Sequence, residues 1–545
     1  MVTFDRWIIS HKRFRPTSAA IIFHSQAGAT ETLTYAELTS RINATYLVLT
    51  QHFKLGPGDK IAWLGFNHPE FFVVLAAASR AGILLIPLNW RLSEDELAYI
   101  VDDSKPQLLL HDVKHEELAT SLATRLPTPA ENDASKCLCN FENDKAKGSL
   151  SYLRTNLETP SERDNDSENK TPTETPITQC KAHSPSTAVL LVYTSGTTGR
   201  PKGALLSQQC MMTNAHMSQH MLQLNSDDRV LNVLPLFHVG GINIQSLPCL
   251  VYGATLVLSQ TFEAEQTLHL INKHKISHIL TVPTILSALL KSPNWTATAL
   301  KSLSAIAIGS TDVPVSLINA AQAADIPVIQ VYGATETGPI AIYQTKEHSS
   351  MTDGTVGSIG RAGLLCDIRL VNEQHSDVKP GEVGEICVRG GNILTAYWNN
   401  PDASQNSIKD GWFLTGDLAL CDRQGNYWFR DRKKHVIISG GENIYPAEIE
   451  RVLTLVPGID EVVVVGVADE KWGEVPAALI VQSTVSNSLD EQATKEFCTE
   501  KLARYKIPRY FLTVEQLPRN ALGKVLVDQA GDLAKNMLVE RSRRN

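Results

Sequence analysis

The stretch Tyr193-Thr-Ser-Gly-Thr-Thr-Gly-Arg-Pro-Lys-Gly203 is the most informative part of this 545-residue sequence. It follows an apolar run at residues 189–192, which predicts a buried strand. Glycine lets a backbone approach a ligand closely, and backbone N–H groups, hydroxyls and a lysine together can hold phosphate oxygens. The spacing is not that of a Walker loop, and a hydroxyl-rich surface turn is the alternative. We predict a polyphosphate site formed by Thr194, Ser195, Gly196, Thr197, Thr198, Gly199 and Lys202.

Strand and helix signals alternate on both sides of this loop. Thr34 with Glu37, and Ser93 with Glu96, have the spacing of a capping box at the start of a helix. Short apolar runs between the helices predict strands at residues 60–64, 83–88 and 108–110. Such alternation is typical of βαβ units, so we expect an α/β large domain with mainly parallel sheets.

Two changes in composition indicate how the chain is divided. Residues 127–186 are rich in Pro, Ser, Thr, Asn, Glu and Asp, which predicts a mobile surface loop with some local structure, or alternatively a partner-binding insert. The charged cluster at residues 431–435 precedes an α+β pattern, in which Ser488 with Glu491 is expected to cap a helix. We predict a large domain over residues 1–431, a joint at residues 432–434 and a small domain over residues 435–545.

Composition excludes several classes of protein. Hydrophobic residues make up 43% of the sequence and charged residues 20%, as in a globular protein rather than a disordered or fibrous one. The 50 basic and 58 acidic residues leave a net charge of −8, which argues against nucleic-acid binding as the main function. We see no stretch of about 20 apolar residues that predicts a transmembrane segment, and no secretory signal. The nine cysteines show neither a disulfide framework nor a zinc pattern, so we expect reduced thiols and a cytoplasmic location.

Two further motifs carry side chains suited to a nucleotide. In YGATETG at residues 332–338, Tyr332 can stack on a purine, Thr335 can donate to a phosphate oxygen and Glu336 can hold Mg²⁺. Asp417, which ends the motif GWFLTGD, can accept hydrogen bonds from both hydroxyls of a ribose. The alternatives are a tight loop whose glutamate caps a helix, and an Asx turn.

These motifs and three others, in the same order, resemble those of the adenylate-forming superfamily, which includes acyl-CoA synthetases, luciferases and peptide-synthetase adenylation domains. The three others are DRKK at residues 431–434, SGGENIYPAEIE at residues 439–450 and NALGK at residues 520–524. The resemblance extends over essentially the whole chain and is weakest at residues 110–187. It implies an enzyme whose large domain carries an ATP site and whose small domain rotates about a hinge.

The resemblance also implies roles for individual residues. Lys524 is similar to the lysine that swings in to bind the carboxylate and the α-phosphate during adenylation, where a cation stabilises the transition state. Lys434 matches the hinge, and Gly440 and Gly441 match the segment that lines the tunnel for the pantetheine arm of CoA. The chain departs from the family at residues 309–314, where Gly-Ser-Thr-Asp-Val-Pro replaces a Gly-Gly-Ala-Pro type of loop. The implied ATP and AMP contacts are the polyphosphate-site residues above with Gly309, Ser310, Tyr332, Gly333, Thr335, Asp417, Arg432 and Lys524. The implied catalytic residues are Lys524, Lys202, Thr335 and Glu336. Glu336 and Thr194 would bind Mg²⁺.

The acyl pocket is the part of the site that the sequence describes least. The stretch PLFHVGG at residues 235–241 resembles the family segment beside the substrate. His238 is therefore expected to gate the pocket or contact the carboxylate, with a packed core histidine as the alternative. Gly240 and Gly241 add no side-chain bulk, which favours a long or wide acyl group. We see no basic residue in this stretch that could meet a second carboxylate, which argues against a dicarboxylic acid.

The expected activity is that of an AMP-forming carboxylic acid–CoA ligase. The acid would react with Mg·ATP to give an acyl-adenylate and pyrophosphate, and CoA would then displace AMP. We expect a medium- or long-chain fatty acid as the substrate, with an aromatic or succinylbenzoate-like acid as the alternative. An acyl-AMP ligase that loads a carrier protein and a non-catalytic ligand sensor are further alternatives. The expected partners are the acid, ATP and CoA, and a homodimer is a candidate assembly.

Overall fold

The computed structural model describes residues 3–127, 137–142, 149–157, 184–194, 201–309, 313–349, 355–483, 490–519 and 525–544. Internal contacts divide the chain into two compact units. The first is formed by Met1–Ile368 and Val388–Phe413, and the second by Arg369–Cys387 and Leu414–Asn545. The predicted joint at residues 432–434 lies within the second unit, and its role as a hinge stays a prediction.

Helices follow many of the strands along the chain. In the first unit they are α1 Phe4–Phe14, α2 Tyr35–Leu47, α3 Glu70–Ala81, α4 Glu94–Ser104, α5 Glu116–Ala123, α6 Leu150–Leu157, α7 Gln208–Leu222, α8 Ser246–Val251, α9 Ala264–His274, α10 Pro283–Leu290, α11 Ala297–Leu300, α12 Val315–Gln322 and α13 Pro401–Ser407. In the second unit they are α14 Pro446–Leu453, α15 Glu491–Lys501 and α16 Val527–Arg544.

The strands are short in the large sheets and longer near the carboxyl terminus. They are β1 Ala19–His24, β2 Thr30–Thr34, β3 Lys60–Leu64, β4 Leu84–Leu88, β5 Leu108–His111, β6 Leu138–Asn140, β7 Ala188–Thr194, β8 Lys202–Ser207, β9 Arg229–Asn232, β10 Thr255–Ser259, β11 His278–Thr281, β12 Ala305–Gly309, β13 Val328–Tyr332, β14 Ile342–Tyr343, β15 Arg361–Ala362, β16 Cys366–Val371, β17 Val383–Gly390, β18 Ala396–Tyr397, β19 Ile408–Lys409, β20 Trp412–Cys421, β21 Tyr427–Arg432, β22 Ile437–Ser439, β23 Glu442–Ile444, β24 Ile459–Asp469, β25 Gly473–Gln482 and β26 Tyr510–Val514.

Two large sheets form the first unit. One has the order β15-β14-β13-β12-β11-β9-β10-β1-β2, and its strands from β13 to β1 run parallel. The other has the order β18-β8-β7-β4-β3-β5-β6 and is parallel from β7 to β6. The predicted α/β class with mainly parallel sheets is confirmed. Ligands of such sheets bind beyond the carboxyl ends of the strands.

The core of the first unit explains why α3 lacks a polar face. This helix, EFFVVLAAASRA, is apolar on nearly every side, and all its residues except Arg80 are buried. A helix that is apolar all round is stable only when it is covered on every side. The hydrophobic cluster around it takes in side chains of both large sheets, for example Ile61 and Ile306. Gly82, with a φ of 74°, ends the helix in the left-handed conformation that favours glycine.

The predicted helix starts at Thr34 and Ser93 are confirmed. Each side chain accepts a hydrogen bond from the backbone N–H three residues on, and the glutamate there closes the capping box. The predicted cap at Ser488 is wrong. Helix α15 is capped by Asp490, whose carboxylate accepts hydrogen bonds from the backbone N–H groups of Gln492 and Ala493. Aspartate is as good an N-cap as serine, and it lies directly before the helix.

The segment predicted as a mobile loop, residues 127–186, contributes regular structure where it is described. Strand β6 pairs in parallel with β5 at the edge of the seven-stranded sheet. Helix α6 packs against α2, and Leu150 and Leu153 are buried in the core of the first unit. The rest of that prediction falls on residues 128–136, 143–148 and 158–183, which lie outside the described residues.

The second unit contains the carboxyl-terminal α+β arrangement. Its sheet has the order β23-β22-β25-β24, with β26 parallel to β25. Side chains of α14 and α15 pack on one face of this sheet and those of α16 pack on the other. A further sheet has the order β16-β17-β20-β19, and β21 pairs with β20. In the described ranges, no helix is long and apolar enough to span a membrane.

Candidate functional site

The predicted polyphosphate loop joins the two strands of a hairpin. Strands β7 and β8 are antiparallel, with Thr194 opposite Lys202 and Tyr193 opposite Gly203. A Cβ atom at Gly203 would lie 2.7 Å from the side chain of Leu191 and 3.2 Å from Cβ of Trp398, so glycine lets these side chains pack closely on the hairpin. The register places Thr194 and Lys202 on either side of the loop. Ser195, Gly196, Thr197, Thr198 and Gly199 lie outside the described residues.

The hairpin is held by a neighbouring segment, residues 394–399, that sequence analysis did not single out. Its strand β18 pairs with β8, and the backbone N–H of Trp398 donates to the carbonyl of Gly203 at 2.7 Å. Asp103 accepts a 2.6 Å hydrogen bond from the hydroxyl of Tyr193, and its backbone carbonyl accepts one from the indole of Trp398. The strand ends that flank the loop are thus fixed to the rest of the first unit.

Gly309 and Tyr332, which are predicted to lie beside the purine, are at the carboxyl ends of two adjacent parallel strands. Gly309 ends β12 and Tyr332 ends β13, and the register pairs Gly309 with Val331. A Cβ at Gly309 would clash with the carbonyl oxygen of Val331, so glycine permits this pairing. The register therefore brings Gly309 and Tyr332 together, as the nucleotide prediction requires. Ser310 lies outside the described residues.

A tight turn presents Thr335 and Glu336. A Cβ at Gly333 would clash with the carbonyl of Pro339, so the chain can fold back on itself only with glycine at this position. The hydroxyl of Thr337 accepts a hydrogen bond from the backbone N–H of Ala334 at 2.9 Å. Thr335 is buried, whereas Glu336 is partly exposed.

Glu336 is linked to Lys202 through Tyr397. The hydroxyl of Tyr397 donates to Oε1 of Glu336 at 2.9 Å, and Nζ of Lys202 lies 5.7 Å from the centre of the Tyr397 ring. Burial and the charge of Glu336 raise the pKa of Tyr397, so the phenol remains a donor at neutral pH. Oε1 of Glu336 accepts the hydrogen bond from Tyr397, and the Glu336 side chain is partly exposed. A carboxylate in this position fits the oxygen coordination that Mg²⁺ prefers. The hydroxyl of Thr194 donates to the carbonyl of Lys202 at 3.4 Å.

Asp417, which is predicted to bind the ribose, and Arg432 lie in the second unit. Asp417 on β20 is directly opposite Arg432 on β21, and Nε of Arg432 lies 3.4 Å from Oδ1 of Asp417. Asp417 is 6% exposed, and its backbone N–H donates to the hydroxyl of Thr415 at 3.1 Å. The arrangement aligns a carboxylate and a guanidinium, as the ribose prediction requires.

Glu385 supports this pair and was missed by sequence analysis. Its Oε1 accepts a hydrogen bond from the backbone N–H of Gly416 at 3.1 Å, and its Oε2 lies 2.9 Å from Nζ of Lys433. One buried carboxylate therefore holds the residue before Asp417 and the residue after Arg432. A glutamate inside the apolar strand run VGEICV is the signal that could have indicated it.

The predicted acyl segment forms a compact turn followed by a π-helical turn, Gly240–Ile244. His238 is partly buried, and its Nδ1 accepts a hydrogen bond from the backbone N–H of Gly240 at 3.2 Å. A Cβ at Gly241 would clash with the carbonyl of Pro235. Backbone packing therefore explains why residue 241 is glycine, and this glycine is not evidence of room for a substrate. At Gly240, a Cβ would meet only His238, at 3.4 Å.

The residues assigned to the hinge and the CoA tunnel all lie in the second unit. Lys434 forms an ion pair with Asp528 at 3.3 Å. Gly440 and Gly441 have φ values of 60° and 89°, which is a sufficient structural reason for glycine at both positions. A Cβ at Gly440 would lie 2.7 Å from the ring of Trp472, whereas one at Gly441 would meet nothing within 4 Å. Lys524 lies outside the described residues.

Comparison with known protein families decides the family. The model of the AMP-binding enzyme family matches residues 10–398, and that of the AMP-binding enzyme C-terminal domain matches residues 448–524. The chain belongs to the AMP-binding enzyme family. The predicted superfamily is confirmed, as is the class of acid–thiol ligase, and the predicted use of ATP, Mg²⁺ and CoA agrees with this membership.

Three proteins that are similar in sequence or structure to this AMP-binding enzyme are acyl-CoA ligases or synthetases. Indoleacetate–CoA ligase of Aromatoleum aromaticum is 39% identical over 539 residues, which are 99% of each chain. Feruloyl-CoA synthase of an Amycolatopsis species is 33% identical over 95% of this chain and 96% of the relative. The solved o-succinylbenzoate CoA synthetase of Bacillus subtilis, in complex with ATP and a magnesium ion, has a TM-score of 0.79 and 30% identity, with 96% of this chain and 98% of that chain covered. It has also been solved with an acyl-adenylate intermediate.

Proposed function

We propose that this enzyme activates an aromatic carboxylic acid with ATP and transfers the acyl group to CoA. The observation that carries the proposal is the 39% identity to an indoleacetate–CoA ligase over 99% of both chains. Feruloyl and succinylbenzoate groups, named for the other relatives, also contain an aromatic ring. These similarities favour the aromatic alternative over the fatty acid that sequence analysis placed first.

In the first step, the carboxylate of the acid would attack the α-phosphate of ATP, and pyrophosphate would leave. Lys202 would meet the phosphate oxygens, and Tyr332 would stack on the purine at the strand end it shares with Gly309. Asp417 would accept hydrogen bonds from the ribose. Mg²⁺, which Glu336 and Thr194 would hold, would supply positive charge against the polyphosphate. Lys524 would stabilise the negative charge that gathers at the α-phosphate.

In the second step, the thiol of CoA would attack the carbonyl of the acyl-adenylate, and AMP would leave. The reaction needs no acylated side chain, because the adenylate is already an activated electrophile. Lys434 would allow the change of conformation between the steps, and Gly440 and Gly441 would flank the thiol arm. The homodimer and the cytoplasmic location stay predictions.

The test is AMP formation by the purified enzyme with ATP and Mg²⁺, with and without CoA. The acids would be indole-3-acetate, ferulate and 2-succinylbenzoate, compared with octanoate, palmitate and malonate. We expect CoA-dependent turnover that is at least about 10-fold faster with one aromatic acid than with any aliphatic acid. Lys202→Met should lower this turnover by about 100-fold, which separates it from background ATPase activity.

Three other outcomes would contradict the proposal. A maximum on octanoate or palmitate would restore the fatty-acid prediction. Pyrophosphate exchange without CoA-dependent turnover would indicate a carrier-protein acceptor. Nucleotide binding without turnover on any acid would indicate a ligand sensor.

A further inference from the structure

Tyr397 lies between the lysine of the phosphate loop and the carboxylate that fits Mg²⁺. Its hydroxyl donates to Glu336 at 2.9 Å, and its ring faces Nζ of Lys202 at 5.7 Å. We propose that Tyr397 is a positioning residue that keeps Lys202 and Glu336 apart, so that both remain available to Mg·ATP. The proposal deepens the proposed function and rests on it only for the identity of the ligand.

The backbone around Tyr397 is fixed to both partners. Tyr397 pairs with Ala204 of β8, two residues beyond Lys202, and the next residue, Trp398, donates its N–H to the carbonyl of Gly203. On the other side, the backbone N–H of Leu394 donates to the carbonyl of Glu336 at 2.7 Å. The phenol therefore projects from a segment that is bonded to the lysine strand and to the glutamate turn.

The hydroxyl of Tyr397 orients Glu336 without neutralising it. A carboxylate can only accept hydrogen bonds, so the phenol must be the donor. A phenol has one proton, and because Glu336 accepts it, the side-chain hydrogen bond between Ser407 and Tyr397 uses the phenol oxygen as the acceptor. A neutral donor that occupies one carboxylate oxygen preserves the negative charge and leaves the second oxygen for a metal ion.

The ring of Tyr397 has a separate effect on Lys202. An ammonium group over an aromatic face is stabilised without losing its charge. Among the described residues, no acidic side chain forms an ion pair with Lys202, whose Nζ lies over the Tyr397 ring while the hydroxyl of that ring donates to Glu336. If the two charges paired directly, binding of Mg·ATP would first have to separate them. Groups that are already separated need no such reorganisation.

Two variants distinguish the effect of the hydroxyl from that of the ring. Tyr397→Phe removes the donor but keeps the ring, so it should weaken Mg·ATP binding about 10-fold, as expected for a hydrogen bond to a charged group. Binding of ATP without Mg²⁺ should change less than about 2-fold. Tyr397→Leu also removes the ring, so it should weaken ATP binding both with and without Mg²⁺. Both dissociation constants can be measured by calorimetry without any acid, which separates this test from the proposed function.

A double-mutant cycle tests whether Tyr397 acts through Glu336. In the Glu336→Gln background, Tyr397→Phe should have almost no further effect on Mg·ATP binding, because the charged acceptor is already gone. Additive losses would overturn the proposal, because they would mean that the two residues act independently.

A matched control separates positioning from stability. Tyr35 is fully buried, and its hydroxyl donates to the carbonyl of Ala254 at 2.7 Å, so Tyr35→Phe also loses one hydrogen bond. This variant should lower the unfolding temperature but keep the wild-type response to Mg²⁺. Tyr397→Phe should slow adenylation but keep thioester formation from supplied acyl-adenylate and CoA. Equal loss of both half-reactions, or the same Mg²⁺ response in both variants, would overturn the proposal.

Discussion

Gly240 and Gly241 are neighbours in sequence but have opposite steric surroundings. Gly241 is buried, and a Cβ there would clash with the carbonyl of Pro235, which is backbone and cannot turn away. A Cβ at Gly240 would meet only the imidazole of His238 at ordinary contact distance. A run of two glycines therefore combines one position required by packing with one that tolerates a side chain.

We predict that Gly241→Ala lowers the free energy of unfolding by about 2 kcal/mol, the usual cost of overpacking. Gly240→Ala is the matched control and should change it by less than about 0.5 kcal/mol. Urea unfolding of both variants measures the difference. If Gly241→Ala were as stable as the wild type but accepted only smaller acids, Gly241 would line the pocket after all.

At the scale of elements, helix α6 is attached to the first unit by buried charges. Arg154 on α6 contacts both carboxylate oxygens of Glu70 on α3, and Arg41 on α2 lies 2.9 Å from the same carboxylate. Burial alone would raise the pKa of Glu70, but the charges of Arg154 and Arg41 lower it from 4.5 to about 2. A buried carboxylate that loses a partner is costly, so this helix depends on Arg154.

We predict that Arg154→Met lowers the free energy of unfolding at pH 7 by about 3 kcal/mol. Because the pKa of Glu70 is lowered on folding, its stabilising contribution is complete above about pH 4.5 and disappears as the pH falls toward 2. The difference between variant and wild type should shrink over that range in urea unfolding. Arg125→Met breaks an exposed pair with Asp102 and should cost less than about 1 kcal/mol. A loss from Arg154→Met that did not depend on pH would point to packing instead of charge.

At the scale of the whole molecule, the predicted hinge can be tested by fixing one backbone angle. Proline fixes φ and removes a backbone N–H, so Lys434→Pro should favour one of the two conformations that the two steps require. We expect one half-reaction to fall by at least about 100-fold while the other changes by less than about 3-fold. Adenylation is measured by pyrophosphate exchange, and thioester formation is measured from supplied acyl-adenylate.

Lys434→Ala provides the comparison. This variant removes only the ion pair with Asp528. The side chains of Lys434 and Asp528 are 39% and 78% exposed, and such exposed ion pairs contribute little to stability. Its effect should therefore be far smaller than that of the proline variant. If Lys434→Pro left both half-reactions unchanged, rotation about this residue would not be part of the reaction.

Local sequence was sufficient to predict elements whose signals lie within a few residues. The capping boxes at Thr34 and Ser93 and the strand at residues 60–64 needed no distant partner, and the structure has them where they were predicted. The prediction at Ser488 failed because Asp490, two residues on, is a competing cap of equal quality. Hydrophobic periodicity also indicated the parallel α/β class, because alternating strands and helices leave few other ways to cover both faces of a sheet.

The sequence by itself determined the family, and it predicted the phosphate loop and the roles of Glu336, Asp417 and Lys202, because these are carried by residue types at short, fixed spacings. Only the tertiary structure decided that Tyr397 lies between Lys202 and Glu336, that Glu385 holds the strands that carry Asp417 and Arg432, and that Gly241 is required by packing. Each of these contacts joins residues that are distant in sequence or depends on a backbone clash. The physical reason is that strand register and burial bring such groups together, and neither can be obtained from the spacing of one motif.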